Sequence, residues 1–251
     1  MRKTLYGITF AAFVALYFPL LIMLAYSFID HASDGASFFT LHWYQMALSN
    51  DQTLAALRVS LWVGFCSTVV ATVLGTLGAI ALQRSRFIGR ETFGMLFYVP
   101  LVMPEIVMGL SLLIWFVRLG IPLGQFCIIL GHITFSLSYV LITVRARLED
   151  FDPSVEEAAR DLGATPWQTF SKVTLPLISP AVLSGALIAF TLSFDDFLVT
   201  FFTAGVGSDT LPVRIYSMIK FGMSPEIHAL SSLVLGATLV LVLGFFRRAA
   251  V

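Results

Sequence analysis

Three carboxylates lie where carboxylates are costly. Glu105, Asp195 and Asp196 each sit in a stretch of the 251-residue chain that is otherwise apolar, and an Asp at the centre of a bilayer helix costs at least ~2.5 kcal/mol. Such acids are functional candidates by default, and a path for a cation is one chemistry they could supply. Carboxylates separated along a pore can replace the water around a cation as it passes. Adjacent helical residues point about 100° apart, so one of Asp195 and Asp196 is expected to face a pore while the other caps, pairs or snorkels. No Lys or Arg lies in these stretches to neutralise the acids; the competing reading is that water or a partner chain's base satisfies them, or that the Asp pair is interfacial. His132, on another apolar stretch, is read as a hydrogen-bonded packing residue rather than a proton relay.

Other chemistries are excluded by what the chain lacks. A phosphate-binding GxxxxGK[ST] loop needs a lysine followed by Ser or Thr with glycines upstream. Lys172 and Lys220 precede Val173 and Phe221, and Lys3 has two residues before it, so the chain has no such loop. There is no HExxH, and His31, His42, His132 and His228 are scattered over separate segments. Glu105 and Asp195 could pair as in an intramembrane aspartyl protease, but the signatures of those enzymes are absent. Cys66 and Cys127 lie in apolar runs and read as small core residues. No catalytic residue, no resident cofactor and no metal site is expected.

The elements that must position the acids are membrane helices. Apolar residues make up 58% of the chain and charged residues 12%, against roughly 25% charged in a soluble domain, which excludes an ordinary water-soluble protein. Fifteen basic and fifteen acidic residues cancel, so no global field points to nucleic acid. A bilayer core of ~30 Å needs about 20 apolar helical residues, and six stretches meet or approach that: 5–28, 59–82, 92–117, 121–144, 177–203 and 229–246. The first is too long to be the apolar region of a cleaved signal, which runs to about 15 residues. The expectation is an all-α, polytopic membrane protein, one transmembrane domain over 1–251.

Counting Lys and Arg at span ends sets the direction. With both termini inside, Arg2, Lys3, Arg84, Arg86, Arg90, Arg145, Arg147, Arg160, Lys172, Arg247 and Arg248 are cytoplasmic, against Arg58, Arg118, Arg214 and Lys220 outside. At ~1.5 Å per residue Glu105 would lie about 20 Å, and Asp195 about 27 Å, from the cytoplasmic starts of regular spans. Ala71, Gly75 and Ala79, with Gly78 beside them, form a small-residue face read mainly as ordinary bundle packing. Pro100 and Pro104 are expected to kink the third span beside Glu105. Phe38, Phe39, Trp43 and Tyr44 form an outer aromatic group, read as an interfacial belt before a protein contact.

The cytoplasmic loop over 145–176 is unlike the rest. Asp152 can cap a helix that has Pro153 at its first position and Glu156 and Glu157 near the positive end of its dipole. Gly163 ends it. Thr165 caps a second short helix with Pro166 first and Gln168 completing a capping box, and Leu175 and Pro176 are expected to stop it. Two capped helices exceed what a connector requires.

These residues carry a resemblance. Glu157, Ala158 and Ala159, then Gly163, then Val173, Leu175 and Pro176 reproduce the EAA motif of bacterial ABC importer permeases, with Val173 where isoleucine is usual. The chain is similar to the type I importer permease fold along essentially its whole length. The segments VMPEIVMGLSLL (102–113), SFDDF (193–197) and FTLHWYQMAL (39–48) more closely resemble the spermidine/putrescine permease branch. The resemblance implies that the loop is a coupling helix docking into a separate ATPase, with Glu156, Glu157, Ala158, Ala159 and Gly163 at or supporting that contact.

The resemblance further implies a multi-pass protein of the bacterial inner membrane that moves polyamines into the cytoplasm by alternating access. It would work with a cytoplasmic ATPase dimer that uses ATP, a second permease chain, similar but different, and a periplasmic substrate-binding protein. Glu105, Asp195 and Asp196 are the substrate-path candidates. The alternatives are an ABC permease for another small solute and a stand-alone ion-coupled carrier, which would need no docking appendage.

Overall fold

The computed structural model describes residues 2–31, 37–85, 88–222 and 225–249. Arg86 and residues 32–36 lie outside these residues, as do the side chains of Arg2, Lys3, Phe38, Arg247 and Arg248. The chain forms two compact units, one of residues 1–55 with 214–251 and one of 56–213.

In the first unit α1 (Arg2–Tyr26) is followed by β1 (Ile29–His31), which pairs antiparallel with β2 (Ser37–Phe39), and by α2 (His42–Ser49). This small ladder adds to the all-helical expectation. The unit is pinned by polar side chains at helix ends. Tyr44 Oη lies 2.7 Å from Ser27 Oγ and 2.9 Å from Ser232 Oγ, Trp43 donates its indole N–H to the Ile29 carbonyl at 3.2 Å, and Asn50 donates to Glu226 at 2.9 Å. Trp43 and Tyr44 therefore serve internal packing, while Phe39 is 78% exposed. The unit closes with the helix α13 (Glu226–Ala249).

The second unit carries the candidate site. Its elements run from α3 (Asp51–Arg84), whose first turn still belongs to the first unit, through α4 (Arg90–Leu96), α5 (Val99–Val102), α6 (Glu105–Arg118), α7 (Gln125–Glu149), α8 (Ser154–Asp161), α9 (Pro166–Thr169) and α10 (Leu175–Asp195) to α11 (Leu198–Thr203), while α12 (Leu211–Phe221) falls mostly in the first unit. Ala79, Leu82, Val140, Leu141, Val144, Ile178 and Ala189 form its core. The small-residue face of α3 lies inside this core: a Cβ on Gly75 would come within 2.8 Å of Val140 Cβ and 3.0 Å of the Leu137 carbonyl. Close approach of α3 to α7 is what those glycines permit, as ordinary bundle packing requires.

Among the described residues four helices are long and apolar enough to cross a membrane: Leu5–Tyr26, Asp51–Arg84, Gln125–Glu149 and Pro166–Asp195. Arg90–Val102 with Glu105–Arg118 qualifies as a pair bent by 106°. The expected count of six is thus not established, the stretch 229–246 falling on α13, whose side chains are described only through Val240.

The boundaries differ from expectation for physical reasons. The helix expected over 59–82 has 34 residues, about 51 Å of rise, so it outlasts a ~30 Å core and carries Arg84 beyond it. The span expected over 92–117 is broken rather than kinked. Met103 and Pro104 are extended, with ψ of 131° and 130°, because proline at 104 bars its predecessor from helical geometry; the 20 Å depth assigned to Glu105 on a regular helix therefore fails. The span expected over 177–203 ends at Asp195. The second loop helix does not stop at Leu175 and Pro176 but continues through a π-helical turn (Phe170–Thr174) into α10. That wide turn lies just before Pro176, where an α-helix would press the proline ring on the carbonyl four residues back.

Candidate coupling loop and intramembrane acid cluster

The loop is built as its capping residues dictate. Asp152 accepts the Ser154 N–H at 2.9 Å, and that bond holds its carboxyl below the usual carboxylate range. Helix α8 ends in a Schellman motif: the Ala164 N–H reaches the Ala159 carbonyl at 3.0 Å, and the Gly163 N–H reaches that of Arg160 at 2.8 Å. Gly163 takes φ +87°, a region that a Cβ disfavours. Thr165 and Gln168 form the expected capping box, at 2.9 and 3.3 Å.

Glu156 and Glu157 part company here. Glu156 is buried and turned into the chain, where it pairs with Arg84 at the end of α3 and accepts from Thr174 Oγ1; Arg160 stands 3.8 Å from its other oxygen. It ties α8 to α3 and to the turn that leads into α10, and so lies away from the exposed face on which a partner could be met. Glu157, Ala158 and Gly163 are exposed and Ala159 half-buried. Leu162 is 90% and Trp167 71% exposed, two large apolar side chains flanking the Gly163 turn. These two were not singled out in the sequence, although a Leu and a Trp on either side of a capped turn are themselves a signal.

The acids of the apolar helices also separate. Asp195 is the last residue of α10 and exposed, and Glu105 is the first residue of α6 and exposed. Asp196 follows in extended backbone, ψ 127°, and its carboxylate caps α11 by accepting the N–H groups of Val199 at 3.3 Å and Thr200 at 2.8 Å. This cap is why the span breaks: the side chain substitutes for the carbonyls a continuing helix would have supplied. The Thr200 hydroxyl donates to the same oxygen at 2.9 Å.

His132, fully buried on α7, completes the cluster. Its Nε2 lies 3.1 Å from Asp196 Oδ2 and 3.0 Å from Thr200 Oγ1. On the other side of the ring Nδ1 lies 2.6 Å from Ser193 Oγ, which is 2.9 Å from Ser67 Oγ on α3. A polar chain thus crosses α3, α10, α7 and α11. His132 is the hydrogen-bonded packing residue expected, and it supplies the partner for Asp196 that no Lys or Arg could. Ser67, Ser193 and Thr200 escaped sequence reasoning because hydroxyls on apolar helices ordinarily bond their own backbone.

Residues 71–250 match the model of the family described as binding-protein-dependent transport system inner membrane component. The chain belongs to that family. The match spans the loop and the three acids, and with four described helices long and apolar enough to cross a membrane the chain is a multi-pass inner membrane protein. The chain is 41% identical over 239 residues to the spermidine/putrescine transport system permease protein PotC of Escherichia coli (strain K12), covering 94% of this chain and 90% of that protein. It is 42% identical over 242 residues to the putrescine transport system permease protein PotI of the same organism, covering 93% and 85%. In fold it is similar to a solved bacterial ABC transporter involved in the import of the acidic polysaccharide alginate, with TM-score 0.73 at 18% identity over 99% of this chain and 97% of the other.

Proposed function

We propose that this inner membrane component is the permease subunit of an ATP-driven importer of polyamines, with the loop over 145–176 as its ATPase-docking element. The observation that carries the reading is the build of that loop: two capped helices anchored from within by Glu156 and presenting Glu157, Ala158, Leu162 and Trp167 outward. An ion-driven carrier has no use for such an appendage. Polyamine as the cargo rests on the likeness to PotC and PotI and on two exposed carboxylates, Glu105 and Asp195, at helix ends of an otherwise apolar body.

In the working cycle, ATP binding closes an ATPase dimer on the cytoplasmic side. The docked loops of this chain and of a second, similar permease chain move together, and the spans rock outward to accept a polyamine from a periplasmic binding protein. ATP is used by the ATPase, so this subunit hydrolyses nothing. Glu157, Ala158, Ala159 and Gly163 form or shape the docking face. Glu156 acts one step behind it, as the anchor that transmits loop motion to α3 and α10.

Both termini are cytoplasmic on this reading. A cysteine is best placed outside at Val206, 109% exposed, because Ser208 in the same loop is buried at 8%. An impermeant thiol reagent added to intact cells is expected to label Val206→Cys and not Ser154→Cys, and a tag on this chain should bring down an ATPase and a second permease chain. The reverse labelling would move the loop to the wrong side and end the reading.

A further inference from the structure

We propose that His132 is a positioning residue for the substrate path, acting through Asp196 to fix the break between α10 and α11 and hence the direction in which Asp195 projects. This rests on the reading of Asp195 as a path residue. Asp195 and Asp196 have unlike surroundings although they are neighbours in sequence: the first is exposed with helical backbone, while the second is drawn inward and satisfied four times over by Val199, Thr200 and His132.

Hydrogen-bond accounting assigns the roles. Asp196 Oδ2 already accepts the Thr200 N–H and O–H, and Thr200 Oγ1, having given its proton to Asp196, can only accept from His132 Nε2 at 3.0 Å. Nε2 therefore carries a proton and faces both oxygens. The opposite nitrogen is held by Ser193 at 2.6 Å, and Ser193 by Ser67 at 2.9 Å, so the ring cannot turn without breaking contacts to α10 and α11. His132 is itself fully buried, and its neighbour Gly131 is so tightly packed that a Cβ there would meet Val199 Cγ1 at 2.8 Å. One imidazole thereby clamps the end of α10 through Ser193 and the start of α11 through Asp196. The bond to Asp196 is charge-assisted, the class that contributes most when kept and costs most when orphaned.

The test uses the whole importer in membranes, with Cys66 and Cys127 replaced by alanine and Asp195→Cys as reporter, read by its rate of modification with a thiol reagent. His132→Asn keeps an amide near Ser193 but cannot reach Asp196, and is expected to change that rate about tenfold, while His132→Gln, whose longer amide can donate to Asp196, stays within about twofold of the parent. Asp196→Asn, which keeps one of the two cap oxygens and removes the charge, should move the rate in the same direction as His132→Asn and supplies the readout if that variant does not accumulate. Unchanged rates in His132→Asn and Asp196→Asn overturn the positioning role. Separately, normal polyamine uptake by Asp195→Asn would overturn the path reading while leaving the modification rates to decide the role of His132.

Discussion

Gly163→Val is expected to lower polyamine uptake about tenfold or more while the chain still inserts in the membrane at normal abundance. Nothing lies within 4 Å of where a Cβ at 163 would stand, so the substitution meets no steric barrier from neighbours and its whole cost is conformational. A β-branched residue at φ +87° costs on the order of 1–3 kcal/mol, and ~1.4 kcal/mol is already a factor of ten. The loop escapes that cost by abandoning the Schellman turn, which carries α9 and Trp167 away from their places beside α8. Gly163→Asn should retain most activity, because asparagine tolerates the left-handed region. Uptake and ATPase copurification measured side by side decide it, with Glu157→Ala expected to weaken docking without disturbing the turn. Normal uptake with normal copurification in both Gly163→Val and Glu157→Ala would show that the loop is not the docking element.

What the sequence made legible was local. The Gly163 turn and the Thr165–Gln168 box each depend on residues within a few positions of one another and stand in the structure as the spacing implies, while α8 starts one residue later than expected, at Ser154, whose N–H Asp152 accepts. The apolar stretches were legible for the same reason, since hydropathy is summed along the chain. What stayed hidden depends on contacts distant in sequence. Glu156 and Glu157 look alike as neighbours in an acidic first turn, and only Arg84, 72 positions away, separates the anchor from the exposed face. Asp195 and Asp196 were expected to diverge, but which one turns inward is decided by His132, 64 positions before Asp196. The break at Pro104 was underestimated as a kink because a bend angle depends on what the two halves pack against, as α6 does on α11: a Cβ on Gly109 would meet Phe202 at 2.8 Å and the Leu198 carbonyl at 3.2 Å.

The second large effect is expected at the exposed acids. Asp195→Asn and Glu105→Gln, made singly, should each reduce uptake about tenfold without lowering abundance, since each removes one charge-assisted contact of ~1.5–3 kcal/mol to an ammonium group. Neither side chain, among the described residues, is held by a bond that its neutral isostere would break, so folding is spared. Asp196→Asn is expected to behave differently, losing uptake through the α10–α11 junction rather than through the cargo, with its deficit independent of polyamine length. Initial rates for a diamine and a longer polyamine, in cells lacking other polyamine importers, separate the two kinds of loss. Unchanged uptake in both Asp195→Asn and Glu105→Gln would remove the cation path and leave the family membership untouched.

The central claim is that this chain moves polyamines only when an ATPase works on its cytoplasmic loop. It is tested most directly in proteoliposomes containing this chain, its partner permease and the ATPase, with the binding protein and labelled polyamine added on the outer side. Accumulation against a gradient is predicted with ATP on the loop side, and none with a non-hydrolysable analogue or with an imposed proton or sodium gradient alone. Accumulation driven by an ion gradient through this chain without the ATPase would contradict the account.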